Sequence, residues 1–234
     1  MIFRDRAEAG RALAEEVARR LPPDVFATGA TMLDAEARRP LVLALPRGGV
    51  PVAAPVAERI GGDLDVVIVR KIGAPRQPEF GIGAIAEDGS PVFDETALRY
   101  LGLTEADLAM TVEAERAELS RRAHRYRAGR PPPDVTDRVV VVVDDGLATG
   151  VTAHAALRWL RGQRPGLLIL AVPVCSPQAV DVLRDDADAI VYLSAPEDFS
   201  AVGRWYANFN QLTDADVDAT LARGRDGGIR PRSA

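Results

Sequence analysis

One cysteine, two histidines and one lysine in 234 residues exclude several chemistries at the outset. With Cys175 alone, no internal disulfide and no cysteine metal cluster can form. Cys175 follows the apolar run 167–174 and reads as a packed small hydrophobe, not a nucleophile. His124 and His154 lack metal-ligand spacing and stand on helix faces, so a His-dependent triad is not expected. No apolar run approaches the roughly 18 residues of a membrane span, and the opening residues, MIFRDRAEAG, carry no apolar signal core. A cytoplasmic protein without a membrane partner is expected. A net charge of -5 gives no general attraction to nucleic acid. No Gly-rich turn ends in the Lys-Ser/Thr of a P-loop. The glycines of 81–86, GIGAIA, match a dinucleotide fingerprint without the strand before or the helix after that it requires.

What is present is a soluble composition, 47% hydrophobic and 27% charged, and enough chain to bury roughly 70% of its unfolded surface in one domain. Residues 5–20 have helical periodicity, with Leu13 and Val17 four apart, and Leu21-Pro22-Pro23 ends the helix. An apolar strand at 41–45 is followed by the turn Pro46-Arg47-Gly48-Gly49 and an Ala-rich helix to about Ile60. Strands at 64–69, 139–143, 167–174 and 189–193 alternate with helices at 151–161 and near 177–183. This order predicts an α/β, doubly wound, mainly parallel sheet.

Residues 72–135 form an insertion between strands. It opens on a Gly/Pro-rich loop and a β-ribbon pairing 80–86 with 92–93, continues through helices near 95–101 and 105–126, and closes on Pro131-Pro132-Pro133. Five arginines in 121–130 with Tyr126 suit nucleic acid, but the preceding Glu113, Glu115 and Glu118 favour a salt-bridged, solvated helix face. The segment 223–234 reads as a disordered tail.

The richest stretch is 139–152, VVVVVDDGLATGVT. Five consecutive valines predict a strand buried on both faces. Gly146, Leu147, Ala148, Thr149 and Gly150 would then wrap backbone N–H groups around an anion at a helix N-terminus, with hydroxyls from Thr149 and Thr152 beside them. Asp144 and Asp145 end the strand where ligands bind in open α/β sheets. Ionised carboxylates only accept hydrogen bonds, so they suit hydroxyls or a hydrated metal instead of phosphate. A phosphate held by amides beside a diol held by carboxylates describes a ribose 5-phosphate.

This stretch resembles the phosphoribosyl pyrophosphate (PRPP) motif of the type I phosphoribosyltransferases. The resemblance implies that Asp144 and Asp145 contact the ribose hydroxyls and that Gly146 to Thr152 bind the 5-phosphate. Ala148 departs from the family, which has a Thr there, or an Asp in the 6-oxopurine enzymes. Pro46-Arg47-Gly48-Gly49 resembles the family's pyrophosphate loop, with Arg47 as cation, Gly48 and Gly49 opening the backbone to the ligand, and a cis peptide joining Pro46 to Arg47. Lys71, one lysine among 29 cationic residues, ends a strand where the family often sets a basic residue beside the pyrophosphate.

The same resemblance makes the insertion an enlarged active-site lid and the segment 196–222 a hood over the acceptor. Phe199, Trp205 and Tyr206, with Phe209 nearby, are then candidates to stack on a small planar acceptor. Val174-Cys175-Ser176-Pro177 lacks the lysine with which 6-oxopurine enzymes read their base, so hypoxanthine and guanine are not favoured. The implied activity is Mg2+-dependent transfer from PRPP to a nitrogen acceptor in nucleotide salvage, with Asp144, Asp145, Arg47 and Lys71 as the catalytic set. The ion would be held through PRPP, with water bridges to the two acids. A PRPP-sensing regulator is the alternative, and a homodimer is the expected assembly.

Overall fold

The computed structural model describes residues 2–23, 39–75 and 77–226. Its main sheet is parallel, in the order β2(Asp63–Val66), β1(Leu41–Ala44), β6(Val139–Val143), β7(Leu167–Val174), β8(Ala189–Ser194). Alternation within the valine run explains why it must be central. Val141 and Val143 face the core beneath α1(Arg6–Arg20) and α2(Gly49–Ile60), whereas Val140 and Val142 face the core beneath α5(Val151–Gly162). A strand apolar on both sides is stable only where helices cover both sides. The sheet is therefore doubly wound, as the alternation of elements predicts.

The insertion differs from its expected form at its start. Residues 70–74 are a strand, β3(Arg70–Ala74), antiparallel to β4(Gln77–Ile85), which pairs in turn with β5(Pro91–Phe93). The glycines of 81–86 thus lie mostly within β4, as befits a rejected dinucleotide fingerprint. The small sheet is integral to the core: Ile72, Ile82 and Ile85 are buried with Leu98 of α3(Glu95–Leu101) and with Val112 and Leu119 of α4(Ala109–Arg127). The α4 surface carries the expected ion pairs, including Glu113 with Arg116 and Glu118 with Arg121 and Arg122, and the Arg121 hydrogen bond holds Glu118 down at about 2.

The strand expected at 64–69 ends at Val66 because the chain changes partners. Val67 N–H still reaches the Ala44 carbonyl, but Ile68 N–H donates to the Glu87 carboxylate at 2.8 Å. Glu87 also takes both terminal nitrogens of Arg127 at 2.6 Å, and Arg127 adds a bond to the Val66 carbonyl. The pair lies almost wholly inside, with Asp65 3.8 Å from Arg127 Nε. At the other end of the chain, Arg223–Asp226 continue α7(Asp214–Asp226) instead of starting a disordered tail; residues 227–234 lie outside the described residues.

A buried arginine stripped of its carboxylate is costly. Glu87→Ala is therefore expected to destabilise the protein by about 3 kcal/mol, roughly 6–12 °C in Tm. Denaturant titration checks this; a loss below about 1 kcal/mol would mean that Asp65 alone compensates Arg127.

Candidate active site

The sheet order reverses between β1 and β6, so crossovers leave in opposite directions and a crevice opens at their carboxyl ends. Both sequence-predicted turns start there. The Val143 carbonyl accepts from Leu45 N–H at 2.8 Å, and Gly49 lies so close that a Cβ on it would stand 2.4 Å from that oxygen. A Cβ on Gly48 would fall 2.1 Å from Asp145 Oδ2. The two glycines are thus required for the turn to press against the strand-end acids. The Pro46–Arg47 peptide is cis, as the family resemblance implies. Gly49 N–H bonds the Leu45 carbonyl at 2.9 Å, which gives Gly49 a packing role in place of the expected ligand contact. Arg47 Nη1 stands 3.7 Å from Asp214 at the start of α7.

The second turn departs from expectation at Leu147. Its side chain is buried, its N–H donates to the Val174 carbonyl at 3.0 Å, and its carbonyl accepts from Ser176 N–H, so it staples the turn to β7 and is not open to an anion. Ser176 reinforces the staple through Oγ on the Ala148 carbonyl at 2.7 Å while capping α6(Pro177–Leu183). Ser176 thus braces the phosphate turn in the segment where the 6-oxopurine enzymes carry their lysine. Gly150 has φ +76, a left-handed conformation that turns the chain into α5. Among the described residues, the amides of Ala148, Thr149, Val151 and Thr152 meet no protein acceptor, and the Ala148 and Thr149 side chains are exposed. These donors stand at the positive end of a 12-residue helix, a place that favours an anion.

Asp144 and Asp145 lie side by side, with Asp145 N–H bonding Asp144 Oδ1 at 2.8 Å. Desolvation first, then the like charge of Asp145, pushes the Asp144 carboxyl well above the usual range. Asp145 is also raised by burial, against the opposing effect of Arg6. Arg6 was not legible as a site residue: it lies 139 positions away, with no motif around it, yet its Nε meets Asp145 Oδ2 at 2.7 Å.

The segment expected to form the hood pairs with the first described residues. Phe3 N–H bonds the Trp205 carbonyl, and Ala207 N–H bonds the Phe3 carbonyl. Tyr206 is buried, packs on Phe3 and Phe209 at 5.7 and 5.2 Å, and donates its hydroxyl to the Asp145 carbonyl at 2.6 Å. Its expected acceptor-stacking role gives way to a structural one. Phe199 and Trp205 remain half-buried, and Val202 lies against Gly146. Lys71, on β3, is exposed and lies along Gly81 of β4. Cys175 is fully buried and its thiol is pushed up to about 11, which fits the packing role.

Two adjacent carboxylates are hard oxygen donors and suit Mg2+, an ion that keeps waters and takes few protein ligands. No cluster of three or more acidic, His or Cys side chains that could hold a metal occurs among the described residues.

A carboxyl whose native pKa is raised favours folding below the unfolded value near 4, and that contribution is lost as pH rises through the native value. Asp144→Asn is therefore expected to raise Tm at pH 7.5 by about 2–4 °C, on the order of 1 kcal/mol, and to flatten the decline of stability with pH. Thermal melts from pH 4 to 9 read both effects; an unchanged slope would mean that Asp144 is not the titrating group. Gly49→Ala, which drives a methyl into backbone atoms, should cost more than about 2 kcal/mol, again read by denaturation.

A family model described as the phosphoribosyl transferase domain matches residues 30–206. A Mycobacterium tuberculosis protein carrying a phosphoribosyl transferase name is 40% identical over 222 residues, which are 95% of this chain and 47% of that protein. The chain thus spans about half the length of the curated relatives it matches first. A Lactobacillus delbrueckii uracil phosphoribosyltransferase is 38% identical over 68 residues, 29% of this chain and 32% of its own. A crystal structure from Thermus thermophilus superposes with a TM-score of 0.74 at 45% identity, covering 94% of this chain and 98% of that one. With open helix-start amides and paired acids at the switch point of the parallel sheet, and with these matches, the chain belongs to the phosphoribosyl transferase domain family.

Proposed function

We propose that the protein transfers a 5-phosphoribosyl group from PRPP to a ring nitrogen of a small planar acceptor, releasing pyrophosphate. The observation that carries this reading is the contact between the two turns. The acids that suit a ribose diol touch the Gly48 turn, and the open amides of 148–152 lie one helix-start away.

In this reading the bond from the anomeric carbon to the pyrophosphate oxygen breaks and its electron pair leaves with pyrophosphate. The acceptor nitrogen supplies the pair for the new C–N bond and gives its proton to solvent, since Ala148 offers no base. Asp144 and Asp145 hold the ribose hydroxyls and favour positive charge developing at the anomeric carbon. Arg47, the Gly48 amide and Lys71 stabilise the departing oxygens. Asp144 and Asp145 would help to hold Mg2+ through water, and the ion would supply positive charge to offset the negative charge on the departing pyrophosphate. Phe199 and Trp205 border the acceptor side. The uracil enzyme among the matches makes pyrimidine bases the first acceptors to test, in line with a place in nucleotide salvage.

Binding PRPP requires ionised acids, whereas burial holds both carboxyls above their usual pKa. Below the raised value binding should therefore release protons, and affinity should climb as pH rises through that value and then level off. Calorimetry in buffers of different ionisation enthalpy measures the release; proton uptake would contradict the assignment. A screen of nucleobases for PRPP- and Mg2+-dependent pyrophosphate release tests the reaction. The Asp144→Asn, Asp145→Asn double variant is expected to lose about 100–1,000-fold in kcat/KM, and undiminished turnover would refute the roles given to the acids. PRPP binding with no turnover on any acceptor would point instead to a PRPP-sensing regulator.

A further inference from the structure

We infer that Arg6 is a positioning residue for the donor: its guanidinium holds the Asp145 carboxylate in the orientation that leaves one oxygen free for the ribose diol. The inference rests on the donor-binding reading above. The contact is short and enclosed, with Arg6 Nε 2.7 Å from Asp145 Oδ2 and the two side chains only 11% and 13% exposed. The rest of the guanidinium is held as well. Arg6 Nη1 bonds the Asn210 carbonyl at 3.0 Å, and the plane covers the Phe209 ring with its carbon 3.9 Å from the centroid. Rotation of the fork away from Asp145 would break all three contacts.

Helix α1 itself has no use for a cation there. Arg6 is its first residue, at the positive end of the dipole, where a positive charge is unfavourable. Asp5 already caps that end through Glu8 N–H. Placement of an arginine against the helix dipole is explained by its partner. The helix is also registered to the site: a Cβ on Gly10 would stand 2.6 Å from the Val52 carbonyl of α2, and α2 begins at Gly49. Arg6 is thus fixed relative to the same turn that presses Gly48 on Asp145.

A blocking contact is the competing possibility, and carboxylate stereochemistry argues against it. Two oxygens offer about four lone-pair sites. Arg6 engages Oδ2, the nearer of the two oxygens to Gly48, and Oδ1 carries no bond from Arg6. Tyr206 braces the same residue from the backbone side.

The test measures binding of Mg-PRPP, ribose 5-phosphate and metal-free pyrophosphate by calorimetry to the wild type and to the Arg6→Gln, Arg6→Lys, Asp145→Asn and Arg6→Gln/Asp145→Asn variants, each checked for folding by thermal melt. Arg6→Gln should weaken PRPP and ribose 5-phosphate roughly ten-fold and leave pyrophosphate within about two-fold. Arg6→Lys should recover part of the loss, and in the Asp145→Asn background Arg6→Gln should add nothing. Equal loss for all three ligands, the same loss without Asp145, or tighter binding in Arg6→Gln would each overturn the inference. Unchanged binding in Arg6→Gln sinks it alone, whereas a wild type that binds neither PRPP nor ribose 5-phosphate overturns the donor reading with it.

Discussion

One carbonyl organises the site. Val143 ends the central strand, and its oxygen receives Leu45 N–H from the neighbouring strand while Gly49 closes on it at a distance no side chain tolerates. Because β1 and β6 are adjacent and parallel, their following turns must diverge, and this contact brings them together before they do. The pyrophosphate-type loop and the acidic pair are therefore parts of one packed unit. A shift of an ångström here would move Gly48 off Asp145 and separate the two halves of the pocket.

Around that unit, opposite charges are matched across distant parts of the chain. Asp145 is balanced by Arg6 from the first helix, and Arg47 faces Asp214 at the start of the last. Asp214 also accepts the Tyr126 hydroxyl at 2.5 Å and lies near Arg125. That hydrogen bond holds the Asp214 carboxyl below its usual range, and burial pushes the Tyr126 phenol up to about 12. A ligand carrying both hydroxyls and phosphates would meet partners already oriented and partly neutralised, which limits the reorganisation that binding demands.

Much of this was legible because the signals were local. The valine run, the Gly-Gly turn and the left-handed Gly150 each encode their conformation within a few residues, and α3 and β7 fall where their patterns predict. What escaped depended on partners remote in sequence. The β3 segment, RKIGA, has neither alternation nor a β-branched run and becomes a strand only because β4 lies alongside. Ile68 leaves the ladder because Glu87, turned inward by Arg127, captures its amide. Leu147 and Gly49 sit inside binding motifs yet direct their amides to carbonyls that no spacing rule reveals. Arg6 is the extreme case, one arginine among many until the chain closes on itself.

The pairing of residues 3 and 4 with 205–208 joins the first described turn of chain to the segment that bonds Asp145. A tag or reporter fused ahead of Ile2 would leave the fold beside Trp205 and Tyr206, close to Asp145, whereas an attachment after α7 starts from a helix whose contact with Arg47 lies at its opposite end.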